Sequence, residues 1–121
     1  MNKNKSLKFI DNHDFETRKK ESELILAKYP DRVPIIVEKS DNCTDLLDLD
    51  KNKFLAPNDI NFGQFQFSIR KRMKLPPQKA LFFFTNNIII QTTENISVCY
   101  QQHKQEDGFM YVVYDSENTF G

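Results

Sequence analysis

Three groups in this sequence could do chemistry: one terminal carboxylate and two thiols. The 121 residues close on Asp115-Ser116-Glu117-Asn118-Thr119-Phe120-Gly121. A glycyl carboxylate on a polar tail can be adenylated, passed to a thiol and joined to an amine, because a residue without Cβ threads a channel where any side chain would collide. Gly121 alone also has a plainer reading, as the residue at which a chain simply stops. Cys43 lies in a polar stretch and Cys99 among apolar residues, with neither CxxC spacing nor a histidine cluster beside them. A thiol nucleophile would need a base, and nothing in the spacing ties His13 or His103 to either cysteine. Acidic residues are scattered over loops and suggest no general acid–base pair. No enzymatic activity, metal or non-covalent cofactor is therefore expected.

Composition sets the frame. A chain of this length makes one domain that buries roughly two-thirds of its extended surface. Eleven Phe and four Tyr with no Trp give an aromatic interior, and 28% charged residues give an ordinary wetted surface. The net charge is zero but unevenly spread. Arg70, Lys71, Arg72, Lys74 and Lys79 crowd one stretch without an acid, whereas 41–50 and 94–117 are acidic. Such a basic cluster could be a solvated helix end or could touch anionic headgroups or RNA phosphates; nucleic acid is not the expected partner. Residues 1–8 contain no apolar run of signal or membrane-span length, so membrane contact would have to be acquired. Reduced cytosolic thiols are the expectation, and the sequons Asn42-Cys43-Thr44 and Asn95-Ile96-Ser97 then match by chance.

The elements that must position these groups follow from caps and periodicity. Asp14 can cap a helix to Lys28 with Phe15, Ser22, Ile25 and Tyr29 inward, ended by Pro30 and Pro34, and a shorter helical piece precedes it around 7–10. Val33–Lys39 reads as a strand, 41–50 as a loop and Lys53–Ala56 as a short strand ended by Pro57. Asn61 and Gln64 form a capping-box variant before the stripe Phe62, Phe65, Ile69 and Met73, and Pro76-Pro77 block continuation past about Lys74. Leu81–Thr85 is apolar enough for a buried central strand, and Asn86-Asn87 tolerate a tight turn before Ile88-Ile89-Ile90. A helix over 95–102, with Ile96, Cys99 and Tyr100 inward, and a strand over 109–114 complete the order. The last six elements fit an α+β β-grasp sheet crossed by a helix. The expected organisation is a helical extension over 1–30, a core over 31–115 and a flexible tail over 116–121.

Several strings carry a resemblance: Tyr29-Pro30-Asp31-Arg32-Val33-Pro34, Ile36-Val37-Glu38-Lys39, Leu49-Asp50-Lys51, Gly63-Gln64-Phe65, Ile69-Arg70-Lys71-Arg72, Ala80-Leu81-Phe82-Phe83-Phe84, Asn86-Asn87, Glu106-Asp107-Gly108-Phe109 and Phe120-Gly121. In one register over about 15–121 they resemble the autophagy ubiquitin-like modifiers, the family of the GABA-A-receptor-associated protein and microtubule-associated protein light chain three. The resemblance implies a ubiquitin-like β-grasp core with two additional N-terminal helices. It implies activation at Gly121 by an E1-like enzyme, transfer through an E2-like enzyme, covalent attachment to phosphatidylethanolamine and release by a cysteine protease. A cytoplasmic monomer that moves to autophagosomal membranes when lipidated is the corresponding cell biology. The alternative within the same resemblance is an unconjugated adaptor for vesicle trafficking or cytoskeletal tethering.

The resemblance also implies a groove for aromatic-x-x-aliphatic peptides of autophagy receptors. Its aromatic pocket maps onto Glu21, Ile25, Pro34, Lys53, Leu55 and Phe109. Its aliphatic pocket maps onto Phe54, Ala56, Pro57, Ile60, Phe65 and Ser68, while Arg32, Lys51, Arg70 and Arg72 would steer acidic flanks. Read without the resemblance, most of the apolar members are ordinary core residues. Ser68 and Ala56 are smaller than the family's usual residues, Gly108 replaces a frequent aromatic, Ile90-Gln91 stands at a common Pro-Pro pair, and the 41–48 loop is one residue longer. These departures bear on partner choice more than on fold.

Overall fold

The computed structural model describes residues 8–117. The elements run α1 (Lys8–Asn12), α2 (Phe15–Lys28), β1 (Arg32–Lys39), β2 (Lys53–Pro57), α3 (Phe62–Met73), β3 (Phe82–Thr85), β4 (Ile88–Ile89), α4 (Ile96–His103) and β5 (Met110–Asp115). Local chemistry sets the helix starts. The Asp14 side chain accepts from the Thr17 amide at α2, and Asn61 and Gln64 make the reciprocal capping box at α3. Asn95 accepts from the Ser97 and Val98 amides at α4. Lys74 ends α3 in the left-handed region at φ 56°, and its amide reaches back to the last carbonyls, so the helix stops before Pro76.

The strands form one mixed five-stranded sheet ordered β2-β1-β5-β3-β4. β1 and β5 run parallel, from Ile35 opposite Met110 to Lys39 opposite Tyr114, and the other pairings are antiparallel. Pro34 is tolerated inside this sheet for a geometric reason. Val37 donates to Asn52 on the β2 side, so by alternation the nitrogen of Pro34 faces the β5 side, where pairing begins one residue later.

The main core lies between the sheet and α3 and α4. It joins Val33, Ile35 and Val37 to Phe62, Phe65, Ile69, Phe83, Ile96, Cys99 and Tyr114. The rings of Phe62 and Phe83 meet edge-on at 5.5 Å. A smaller cluster on the opposite face, Phe9, Ile36, Phe109 and Tyr111 with Ile10 and Ile25 against it, holds α1 and α2.

Leu81–Thr85 supplies an interior, largely buried strand as expected, β3 lying between β5 and β4, and β5 at the centre of the sheet is buried along its whole length. Three expectations change. The turn at Asn86-Asn87, with φ 52° and 64°, closes a hairpin in which Ile88 and Ile89 pair as a strand of their own. Cys43 is buried, since the 41–50 loop folds its Cys43 and Leu46 side chains onto the core. Phe15 and Tyr29 are exposed rather than inward, and Ser22 is the buried residue of α2. Gly121, the expected point of conjugation, lies with Asn118 to Phe120 outside the described residues, as do Met1 to Leu7.

Candidate functional site

Among the described residues β2 ends the sheet, and its outer side is unpaired within it. Because side chains alternate along a strand, this edge offers two unlike faces: Lys53 and Leu55 turn toward α2, Phe54 and Ala56 toward α3. The register agrees, since Ala56 stands opposite Val33 and joins the α3-side core, while Leu55 stands opposite Pro34. An extended segment laid along β2 would find backbone hydrogen-bonding groups and half-buried side chains on both faces of the strand.

On the α2 face, Glu21, Ile25, Lys53 and Leu55 are half-buried around Pro34, which is buried. The Lys53 ammonium is bonded to the Glu21 carboxylate and lies 5.7 Å from the centre of the Phe9 ring. Phe109 is brought here as well, but fully buried, with Phe9 edge-on at 5.3 Å. Phe109 thus lies beneath this group of side chains, and Phe9, a residue the sequence reading did not include, covers it. α1 is held in place by Glu38, whose carboxylate oxygens accept from the amides of Lys8 at 2.9 Å and Phe9 at 3.0 Å. A buried acid on a strand opposite an apolar residue twenty-nine positions earlier leaves no local signature.

On the α3 face, Phe65 meets Phe54 edge-on at 6.0 Å, and Ala56 is buried. Pro57 and Ile60 are half-buried, and Ser68 is exposed, its hydroxyl donating to the Gln64 carbonyl one turn back. The Lys51 ammonium sits 4.7 Å from the Phe54 ring centre and the Arg72 guanidinium 5.7 Å from it. Of the four steering cations, Arg32 donates to the Leu55 carbonyl, and Arg72 pairs with Asp50 at 2.7 Å, which lowers the Asp50 carboxyl below its ordinary range. Arg70 is turned away to the carbonyls of Pro76, Pro77 and Lys79, stitching down the segment after α3.

Helix α2 is fixed to the sheet through Asp107. That buried carboxylate accepts from Arg18 Nε at 2.9 Å, the Tyr111 hydroxyl at 2.5 Å and the Phe109 amide at 3.0 Å. Burial, and then the bond to Asp107, hold the Tyr111 phenol protonated far above its usual range. The Ser22 hydroxyl donates to the Asp107 carbonyl, and next to it Gly108 has φ +90°. A Cβ there would collide with Ser22 Oγ, so helix and turn meet only because residue 108 has none.

Neither cysteine is set up for attack. Cys99 is fully buried, and desolvation followed by the charge of Glu94 pushes its thiol up to about 11. The fold nonetheless gathers what the sequence reading kept apart, bringing Glu94, Cys99 and His103 together. The four-residue step from Cys99 to His103 on a helix was the available signal. Among the described residues no helix is long and apolar enough to cross a membrane.

A mixed sheet of order β2-β1-β5-β3-β4 with a helix across one face and two helices before it defines a ubiquitin-like protein of the α+β class. Residues 17–121 match the family described as "Autophagy protein Atg8 ubiquitin like", and the chain belongs to that family. It is 51% identical over 113 residues to autophagy-related protein 8 of Mycosarcoma maydis, covering 93% of this chain and 95% of the relative. Against autophagy-related protein 8 of Schizosaccharomyces pombe it is 50% identical over 113 residues, covering 93% of each. The crystal structure of Trypanosoma brucei ATG8 superposes with a TM-score of 0.89 at 40% identity, covering 97% of this chain and all of that one.

Proposed function

We propose that this autophagy protein is a modifier rather than an enzyme, joined through Gly121 to phosphatidylethanolamine, and that it recruits receptors by binding aromatic-x-x-aliphatic peptides along β2. The observation that carries the reading is the β2 edge, with Lys53 and Leu55 half-buried on its α2 face and Phe54 half-buried beside Ala56 on its α3 face. The peptide's aromatic side chain would pack on the first face and its aliphatic one on the second. Each anchor contributes about 1.5–3 kcal/mol by burial. A micromolar complex needs about 8 kcal/mol, so strand hydrogen bonds and the cations Arg32, Lys51 and Arg72 must supply the rest.

For conjugation, support comes from the family match, which runs through Phe120-Gly121. An E1-like and an E2-like enzyme would carry the activated carboxylate, a cysteine protease would reverse the linkage, and the protein would move from cytoplasm to autophagosomal membrane. In a reconstituted conjugation reaction the wild-type chain should give a lipidated, faster-migrating band. Gly121→Ala should give none, and normal lipidation of that variant would refute the role assigned to Gly121.

A further inference from the structure

Glu94, Cys99 and His103 each offer one metal-ligating atom, and the three atoms lie within 4.8 Å of one another. Cys99 and His103 share a face of α4 one turn apart, and Glu94 stands just before the cap Asn95. The backbone beneath them is fixed. Phe62 donates to the Glu94 carbonyl at 2.8 Å, the Glu94 amide donates to Gln91 at 3.2 Å, and Cys99 donates to Asn95 at 3.0 Å. Cys99 is the inner member, with Sγ 3.9 Å from Met110 Sδ, while Glu94 and His103 are half-buried and form the approach from solvent. Among the described residues the side chains of Glu94 and His103 have no hydrogen-bond or ion-pair partner, so their donor atoms are not committed elsewhere.

We propose that Glu94, Cys99 and His103 form a transition-metal site whose natural occupant is Zn²⁺. The donor set selects the ion: a thiolate excludes Mg²⁺ and Ca²⁺, whereas thiolate, imidazole and carboxylate together suit zinc. Bonds of about 2.0–2.3 Å in a tetrahedron put neighbouring ligand atoms about 3.3–3.6 Å apart, so rotations that close the cluster by roughly 1 Å complete it. As the Zn–S bond forms, the Cys99 proton leaves to solvent; thiolate and carboxylate then balance the two positive charges, and a water takes the fourth position. The site would bridge α4 from Glu94 just before its cap to His103 at its last residue, and is independent of peptide binding and of conjugation.

The test uses the full-length, tag-free, reduced and metal-stripped protein titrated with Co²⁺ and then Zn²⁺. The expected result is one equivalent of Co²⁺ with a thiolate-to-cobalt charge-transfer band in the near ultraviolet and the visible absorption of a tetrahedral ion, both removed by Zn²⁺. Cys99→Ser should abolish the charge-transfer band and Cys43→Ser should leave it unchanged. Glu94→Gln and His103→Ala alter half-buried side chains and should each weaken binding by about tenfold or more, which keeps the test decisive if Cys99→Ser unfolds. Absence of the charge-transfer band in the wild type, its survival in Cys99→Ser, or undiminished affinity in both Glu94→Gln and His103→Ala would overturn the proposal.

Discussion

The Lys53 ammonium on β2 bonds the Glu21 carboxylate on α2, so an ion pair lies across the Phe9 ring on the α2 side of the strand. Both side chains are about one-third exposed, at 37% and 31%. A pair this wet contributes at most about 1 kcal/mol, so an incoming peptide can open it at small cost. Replacing Glu21 by Ala should free Lys53 for acidic residues flanking a peptide. Affinity for an acid-flanked aromatic-x-x-Leu peptide, measured by titration calorimetry, should then rise by up to about fivefold. A tenfold loss would mean that Glu21 itself holds the peptide.

Lys53→Ala combined with Leu55→Ala removes the partner of Glu21 and the side chain opposite Pro34. If each contact contributes about 1 kcal/mol or more, affinity for the same peptide should drop by about tenfold or more. Unchanged affinity would move the docking site away from β2.

Gly108 is required on two counts, its φ of +90° and its closeness to Ser22. Gly108→Ala should destabilise the fold by about 1–3 kcal/mol in urea unfolding. Adding Ser22→Ala should recover part of that loss, because the nearest obstacle, the Ser22 hydroxyl, is gone while the backbone strain stays. Full recovery would show that strain is not involved.

Glu38 holds the first amides of α1 and thereby seats Phe9 over Phe109. Glu38→Ala should cost about 1.5–3 kcal/mol, the scale of hydrogen bonds to a charged acceptor. Amide exchange at residues 9–12 should speed up while that of β5 stays slow. Protection of α1 unchanged from the wild type would show that the apolar contact of Phe9 suffices.

The features legible in the sequence are those whose cause is local. Asp14, Asn61, Gln64 and Asn95 cap helices through groups two or three residues away, and Asn86-Asn87 take up positive φ within their own turn. Lys53–Ala56 is recognisable as a short strand bounded by Pro57, but its place at the sheet edge depends on the pairing of the other strands. What escaped is what depends on residues distant in sequence. Phe9 acts through Glu38 and Phe109, and Cys43 is buried by the closure of its loop. Asp107 gathers Arg18 and Tyr111, and β4 is a strand only because β3 lies beside it. The pocket residues came from the resemblance, since alternation along β2 does not reveal which helix faces each side.

Acid stability should depend on the loop anchors. The carboxyl of Asp45 is lowered by bonds from Lys79 and Ser116, and those of Asp14 and Asp50 by Thr17 and Arg72. In each case the folded form binds the proton less tightly than the unfolded chain, whose value is near 3.8. The stabilisation is therefore present above that pH and is lost as pH falls through the lowered folded values. Asp45→Asn should flatten the acid limb of the unfolding midpoint plotted against pH; an unchanged limb would show that the Lys79 and Ser116 bonds do not persist in solution.

In the function proposed above, the carboxyl group of Gly121 is the point of attachment to lipid. Tandem mass spectrometry of the C-terminal peptide, from protein recovered from the membranes of its own cells during autophagy, tests it most directly. The expected result is phosphatidylethanolamine in amide linkage to Gly121, absent from cells carrying only Gly121→Ala. Membrane-associated protein whose Gly121 carboxylate is free, or a lipid attached at another residue, would contradict it.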